Sequence, residues 1–271
     1  MKRRWGLISM SKAGVEDIRK SICDIKLPLF LAYSDIRQRY RRSSLGPFWI
    51  TISTGVMIVC IGIIFGNIYD SGVKEFIPYL AAGMIIWGFI SSTINDSASV
   101  FINAENIIKQ LPIPIYSHVI RLIAKNFYIF LHNFLIFPLV CLFVGRGFDL
   151  DLLFVFPGLI LLILNLTWIS LIVGIICTRY RDFPPIIASI LQVAFYVTPI
   201  LWMPSLLKLG RKFFYLELNP FFQLIQLVRE PLLGRCPPMM AWMMGISLLF
   251  LGWILAIAIF NRYKSRIAYW L

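Results

Sequence analysis

The residues best placed to bind a charged group are four arginines that lie within six positions, directly before a long apolar stretch. They are Arg37, Arg39, Arg41 and Arg42, in the segment RQRYRRSSLGPFW. Guanidinium groups bind phosphates and carboxylates through paired N–H donors, so this cluster could bind nucleic acid, anionic lipid headgroups or a phosphorylated substrate. A basic cluster beside an apolar run can also mark the cytoplasmic edge of a transmembrane helix.

The composition is that of an integral membrane protein. Of the 271 residues, 59% are hydrophobic and 14% are charged, whereas a soluble domain has about 45–50% apolar and about 25% charged residues. The formal net charge of +13 would suggest a nucleic-acid partner in a soluble protein. No DNA- or RNA-binding motif accompanies the basic residues, so we expect no nucleic acid to bind. The five cysteines lack metal-ligand spacing, so we expect no metal site.

Six charge-free stretches are long enough to cross a bilayer, which needs about 20 apolar residues in a helix. They cover residues 48–66, 76–94, 126–144, 152–177, 183–207 and 239–260. The fifth contains Pro199 and Pro204, so its far end is expected to kink or unwind. The predicted fold class is therefore an all-α integral membrane protein, with six transmembrane helices over residues 47–260 and a tail over residues 261–271.

The basic residues are unevenly divided between the two sides of this predicted bundle. Of the 26 lysines and arginines, 19 lie on the side of the N-terminus and seven lie on the other side. Basic residues concentrate in cytoplasmic segments. We therefore expect a multi-pass membrane protein with both termini in the cytoplasm.

An amphipathic helix is predicted before the first span, within residues 1–46. Leu29, Tyr33, Ile36 and Tyr40 recur at spacings of four, three and four, which places them on one helical face. We expect this helix to lie in the plane of the membrane, in contact with membrane lipids.

A second amphipathic region is predicted between the fifth and sixth spans, over residues 205–238. It is too polar to cross the membrane but rich in aromatic side chains, and Asn219-Pro220 divides it into two short helices. We expect both helices to lie at the outer interface or to dip into it.

The sequence carries no motif for ATP binding or catalysis. The phosphate-binding pattern G-x-x-x-x-G-K-[ST] is absent. Asp149-Leu150-Asp151 imitates the D-x-D pattern of glycosyltransferases, but the predicted topology puts it in a short outer loop, where we interpret it as loop solvation or helix capping. We expect the chain not to be an enzyme.

Four segments resemble one family of transporters. They are YRRSSLGPFWITIS (40–53), NAENIIKQLPIPIYSHV (103–119), FYVTPILWMP (195–204) and LNPFFQLIQLVREPLLG (218–234). In this order they are similar to type-2 ATP-binding-cassette (ABC) exporter permeases of the polysaccharide export family, which includes O-antigen, capsule and teichoic-acid exporters. The resemblance extends over most of the chain.

The resemblance implies a set of partners. Such permeases form homodimers, each copy paired with a separate cytoplasmic ATPase subunit that uses ATP, so this chain itself would bind no cofactor. The substrate would be a glycan on a polyprenyl diphosphate. The loop after the second span, over about residues 95–117, would dock on the ATPase through Glu105 and Lys109. The alternative is an ordinary connector.

The resemblance also implies three groups of substrate-handling residues. The four arginines Arg37, Arg39, Arg41 and Arg42 would bind the lipid diphosphate at the entrance, although they could instead only fix topology and bind anionic lipid. Aromatic side chains would line the passage, although each could instead pack against lipid; they are Tyr79, Trp87, Phe89, Phe195, Tyr196 and Trp202. Asn219, Pro220 and Arg229 would belong to an outer gate, and Arg229 would face the outer interface.

Two alternative functions stay open. One is an exporter of the same type for a small molecule or drug, and the other is a membrane enzyme or scaffold of polysaccharide assembly that transports nothing. Among the polysaccharides, O-antigen is the favoured substrate.

Overall fold

The computed structural model describes residues 2–41, 46, 48–68, 73–145, 150–204 and 214–271. Twelve α-helices occur within these residues, and a short 3₁₀ turn, Leu150–Phe154, precedes the eighth. The helices are α1 Lys2–Cys23, α2 Lys26–Arg39, α3 Phe48–Ile68, α4 Val73–Ser97, α5 Glu105–Gln110, α6 Tyr116–Phe134, α7 Ile136–Val144, α8 Val155–Arg179, α9 Phe183–Val197, α10 Phe214–Glu217, α11 Pro220–Leu232 and α12 Met239–Trp270.

Five helical segments are long and apolar enough to cross a membrane. They are Phe48–Gly66, Lys74–Ser97, Tyr116–Val144, Leu150–Arg179 and Met239–Trp270. Each contains one of the predicted spans, so the prediction of a multi-pass, helical membrane protein is confirmed. The third segment combines α6 and α7, with a break at Leu135. Pro138 explains the break, because it lacks the N–H that the helix would need there.

The helix of the predicted fifth span is shorter than expected. Helix α9 has 15 residues and ends at Val197, so it rises about 22 Å, less than the roughly 30 Å of a bilayer core. It ends because Thr198 precedes Pro199 and adopts an extended conformation, with ψ of 133°. The described chain then continues to Pro204 without an α-helix. Residues 205–207 lie outside the described residues.

The helix of the third span begins ten residues earlier than predicted, at Tyr116. Its first turns contain Arg121 and Lys125, whose charges had excluded this stretch from the predicted span. Each is neutralised by a partner from another helix: Arg121 Nε donates to Asp35 Oδ2 at 2.7 Å, and Lys125 Nζ donates to Asp96 Oδ2 at 2.7 Å.

The bundle is built around α4, which contacts α3, α6, α7, α8, α9 and α11. In its most apolar stretch 72% of the residues are buried, whereas the figure for α3 is 17%. Helix α3 packs on α4 through a narrow stripe that includes Ile58 and Gly62. A Cβ at Gly62 would lie 2.8 Å from Ile77, so glycine permits the close approach of these two helices.

Both chain termini lie at the same end of the bundle. The Gly14 amide donates to Asn261 Oδ1 at 2.8 Å, and Lys264 pairs with Asp17 at 2.9 Å. We call this end, which carries α1, α2, α5 and the last turns of α8 and α12, the basic end; α11 and the first turn of α12 mark the opposite end. Gly46, with φ of +55°, turns the chain between α2 and α3.

Candidate functional site

A groove of about 410 Å³ lies between α3, α4 and α9. Its lining is mainly apolar, and four uncharged polar side chains and two aromatic rings contribute to it: Thr54, Ser91, Asn95, Gln192, Trp87 and Phe195. We call it the aromatic–polar groove. The ring centroids of Trp87 and Phe195, from facing helices, are 5.9 Å apart. No charged side chain is among the described residues that line it. Hydroxyl and amide groups both donate and accept hydrogen bonds, and the rings offer apolar faces, so the groove suits an uncharged molecule that has both apolar faces and polar groups.

The structure brings together only part of the predicted aromatic lining. Trp87 and Phe195 line the groove, and the Tyr196 ring lies beside Phe195 and is 62% exposed. Phe89 is 2% exposed and packs on Phe130 in the core.

Tyr79 and Trp202 also lie away from the groove. The Tyr79 hydroxyl donates to the Pro199 carbonyl at 2.9 Å, and Trp202 Nε1 donates to the Tyr196 carbonyl at 3.3 Å. Both therefore hold the non-helical segment that follows α9.

Arg229 does not face the outer interface, so that prediction is wrong. Its side chain is 1% exposed, and Nη1 donates to the Pro199 carbonyl at 2.7 Å. Its guanidinium carbon lies 4.1 Å from the centroid of the Tyr79 ring. Tyr79 and Arg229 thus hold the same carbonyl, and we call these three residues the Pro199 clamp. This role could not be predicted from the sequence, because Arg229 lies on an amphipathic helix and the polar residues of such a helix usually face the surface.

Asn219 and Pro220 form the start of α11, at the predicted break between two short helices. The Asn219 side chain accepts from the amides of Phe221 at 3.0 Å and Phe222 at 3.2 Å, and Pro220 fits a first helical position. Asn219 also donates to Thr198 Oγ1 at 3.1 Å. Most of α11 is buried against α4, α8 and α12, so α11 is part of the bundle core and fixes the chain just after α9.

The arginine cluster lies at the basic end. Arg37, Arg39 and Arg41 are exposed, and Arg42 lies outside the described residues. Arg39 lines a charged cavity of about 310 Å³ between α2, α4 and α6.

The other charged groups of this cavity were not predicted as site residues. They are Asp35, Asp96, Arg121 and Lys125, and His118 also lines it, with a buried Nε2 that has no hydrogen-bond partner. The spacing of His118, Arg121 and Lys125 by three and four residues is a helical-face pattern that could have indicated this cavity. The cavity adds two cations and two carboxylates beside Arg39.

Comparison with known proteins places these features in a family. The chain matches the ABC-2 type transporter family over residues 29–233, which is more than half of its length. The protein belongs to the ABC-2 type transporter family. It is also similar to the O-antigen export system permease protein RfbA of Myxococcus xanthus, with 22% identity over 204 residues, which cover 73% of this chain and 77% of that protein. The family resemblance predicted from the four segments is thereby confirmed.

ABC-2 transporters work in general with an ATP-binding cassette, and the loop after α4 is where the sequence predicts such contact. In this ABC-2 transporter, the loop contains the short helix α5, on which Lys109 Nζ pairs with Glu105 Oε1 at 2.6 Å. This hydrogen bond with the ammonium group lowers the pKa of the Glu105 carboxyl. Helix α5 has no buried residue, and its Asn106, Lys109 and Gln110 side chains are exposed, so part of its surface is accessible to a partner.

The return from this loop into α6 is rigidly held. The Asp17 carboxylate accepts hydrogen bonds from the amides of Ile115 at 3.2 Å and Tyr116 at 2.9 Å, while Lys264 pairs with the same carboxylate. Helices α1, α6 and α12 therefore meet at one buried carboxylate, which the sequence gave no reason to select.

Proposed function

We propose that this chain is the membrane subunit of an ATP-driven exporter that moves a lipid-linked polysaccharide from the cytoplasm across the bacterial inner membrane. O-antigen is the favoured substrate, in keeping with the export role that the name of the Myxococcus relative states. Membership of the ABC-2 family supports the transport step. The observation that carries the choice of substrate is the aromatic–polar groove.

The chemistry of the groove matches that of a sugar chain. A sugar ring presents C–H groups that pack on aromatic faces, and its hydroxyls exchange hydrogen bonds with groups such as Thr54, Ser91 and Gln192. None of these contacts fixes a single register, so a polymer can slide past them. The described lining contains no fixed charge that would hold one position of the chain tightly.

A homodimer would complete the passage. Helices α3 and α9 border the groove and are thinly covered: 17% of the residues in the apolar stretch of α3 are buried, and Leu191 is the one buried residue of α9. In a single copy these faces meet only lipid. A second copy packed across them would enclose two grooves between the protomers.

The arginine cluster would receive the lipid diphosphate at the cytoplasmic leaflet, because guanidinium groups bind phosphate oxygens in pairs. Arg39 lies beside the charged cavity, and Arg37 and Arg41 are exposed nearby. Changing Arg41 and Arg42 to Gln tests this role. Lost export with normal membrane insertion would support it, whereas mislocalised protein would assign these arginines to topology alone.

The ATPase partner would dock on α5, with both chain termini in the cytoplasm. Reversing the two charges together, with Glu105→Lys and Lys109→Glu, keeps an ion pair within the helix but inverts the pattern shown to a partner. We expect the ATPase to co-purify less with this variant than with the wild type. Unchanged co-purification would remove α5 from the contact.

Deletion of the gene tests the whole proposal. We expect loss of the surface polysaccharide and accumulation of the glycan on polyprenyl diphosphate inside the cell, with both effects reversed by the wild-type gene. Normal surface glycan together with raised sensitivity to a small toxic compound would instead indicate a drug exporter. Absence of the lipid-linked polymer itself would indicate a role in assembly, and either result would contradict the proposal.

A further inference from the structure

A second groove lies at the basic end, between the last turns of α8 and α12. It has a volume of about 410 Å³, and its lining is mainly apolar, with Ile175, Ile176 and Ile259 among its residues. Arg179 and Arg262 stand at its edge together with Trp270. These residues are distinct from those of the aromatic–polar groove and of the charged cavity.

The two arginines have aromatic neighbours in place of acidic ones. The guanidinium carbon of Arg179 lies 5.1 Å from the Tyr180 ring centroid and 5.4 Å from that of Trp270, and the guanidinium carbon of Arg262 lies 5.6 Å from the Tyr263 ring centroid. No Asp or Glu is among the described residues that line the groove. Cation–π contacts orient a guanidinium while leaving its N–H donors available to an anion.

Both arginines lie at the end of a charge-free apolar stretch, where a bilayer is expected to change from hydrocarbon to headgroups. Arg179 is the last residue of the apolar segment Leu150–Arg179, and Arg262 comes two residues after the predicted end of the last span. Tyrosine and tryptophan concentrate at the same level of membrane proteins. The groove therefore offers apolar surface on the membrane side and two cations at headgroup height.

We propose that this groove binds an anionic phospholipid of the cytoplasmic leaflet. The phosphate would lie against Arg179 and Arg262, and an acyl chain would cover Ile175, Ile176 and Ile259. Basic pockets between the cytoplasmic ends of transmembrane helices are suited to such headgroups. A lipid held there would link the ends of α8 and α12, whichever substrate the transporter moves.

Native mass spectrometry of the purified full chain, supplied with equal amounts of phosphatidylglycerol and phosphatidylcholine, tests the proposal. We expect the wild type to retain the anionic lipid preferentially. The variant Arg179→Gln/Arg262→Gln should lose about ten-fold in that preference, since each basic group near an anionic surface contributes appreciably to attraction. Arg19→Gln/Arg235→Gln removes the same net charge from exposed positions elsewhere and should keep the wild-type preference.

A third variant is the control for misfolding. Arg179→Lys/Arg262→Lys retains both charges, so we expect most of the lipid preference to persist in a chain of normal size-exclusion behaviour. Equal preference in the wild type and the Gln variant would overturn the proposal. Displacement of the bound phosphatidylglycerol by polyprenyl diphosphate or by the ATPase partner would assign the groove to another occupant and would also overturn it.

Discussion

The two helices that face each other across the aromatic–polar groove are held in very different ways. Helix α4 carries Trp87 and is surrounded by six other helices, with 72% of its most apolar stretch buried. Helix α9 carries Phe195, and Leu191 is its one buried residue. One wall of the groove is thus fixed in the bundle core, whereas the other can move without unpacking that core.

The end of the thinly packed wall is nevertheless anchored. Directly after α9, the Pro199 carbonyl accepts hydrogen bonds from Tyr79 and Arg229, and Asn219 reaches Thr198. The contrast teaches that packing positions α4 along its whole length, whereas polar contacts position α9 mainly at its far end. The width of the groove is then controlled by a few hydrogen bonds, which can be tested one at a time.

The largest expected effect comes from the two rings of the groove. Trp87→Ala should lower the free energy of unfolding by about 3 kcal/mol, because the 7% exposed Trp87 ring also packs on Phe221 and its loss leaves a cavity. Phe195→Ala should cost less than about 1 kcal/mol, because the ring belongs to the thinly packed wall. Unfolding by SDS in mixed micelles measures both. Equal losses for the two variants would show that the walls are held alike.

The Pro199 clamp should give the next largest effect. Arg229→Met should lower the free energy of unfolding by about 2 kcal/mol, since a charged hydrogen bond to a buried carbonyl is lost. Combined with Tyr79→Phe, the loss should exceed the sum of the single losses by about 1 kcal/mol, because only the double variant leaves the carbonyl without either donor. Arg235→Met, at an exposed position, is the matched control. Strict additivity would argue against a shared acceptor.

Loss of the Asp35–Arg121 pair should lower stability by a smaller amount, and the change should be confined to α2. Asp35→Asn should weaken the docking of α2 on α6 by about 1 kcal/mol, since both side chains remain partly exposed to solvent. Hydrogen exchange of the α2 amides should then quicken, while α4 stays protected. In the swapped variant Asp35→Arg/Arg121→Asp, the exchange rates of the α2 amides should return part of the way to the wild-type rates. Asp24→Asn is the control, and equal exchange in both Asn variants would contradict the role of the pair.

The smallest effect concerns the exposed pair on α5. Because the pKa of Glu105 is lowered in the folded chain, the stability that the Glu105–Lys109 pair contributes is fully present above the ordinary Glu pKa of about 4.3. It is lost as the pH falls through the lower folded value. Carboxyl-carbon NMR of Lys109→Gln should show Glu105 titrating at a higher pH than in the wild type. Lys20→Gln should leave the titration midpoint of Glu105 unchanged. Equal Glu105 midpoints in the wild type and in both variants would refute the coupling.

Much of this architecture could be predicted from the sequence, because long apolar stretches and prolines act locally. Five spans and the break at Asn219-Pro220 follow from such signals. The early start of α6 could not be predicted, because Arg121 and Lys125 become tolerable only through Asp35 and Asp96 on other helices.

The same limit applies to the candidate site. Trp87 and Phe195 were selected as aromatic residues of apolar helices, but so was Phe89, which packs in the core. Composition does not distinguish a ring that lines a groove from one that fills a core. The family resemblance places Arg229 at the outer interface, whereas its position depends on Tyr79 and Pro199, which are distant in sequence.

The most direct test of the central claim is a photo-crosslink to the moving polymer. Benzoylphenylalanine placed at position 195 lies in the aromatic–polar groove, and the same residue at position 250 occupies a site on α12 whose native Phe250 is 66% exposed. Under ultraviolet light in cells that synthesise the polysaccharide, we predict glycan attached at position 195 and not at position 250. Export that continues with no glycan captured at position 195, or with equal capture at both positions, would contradict the account.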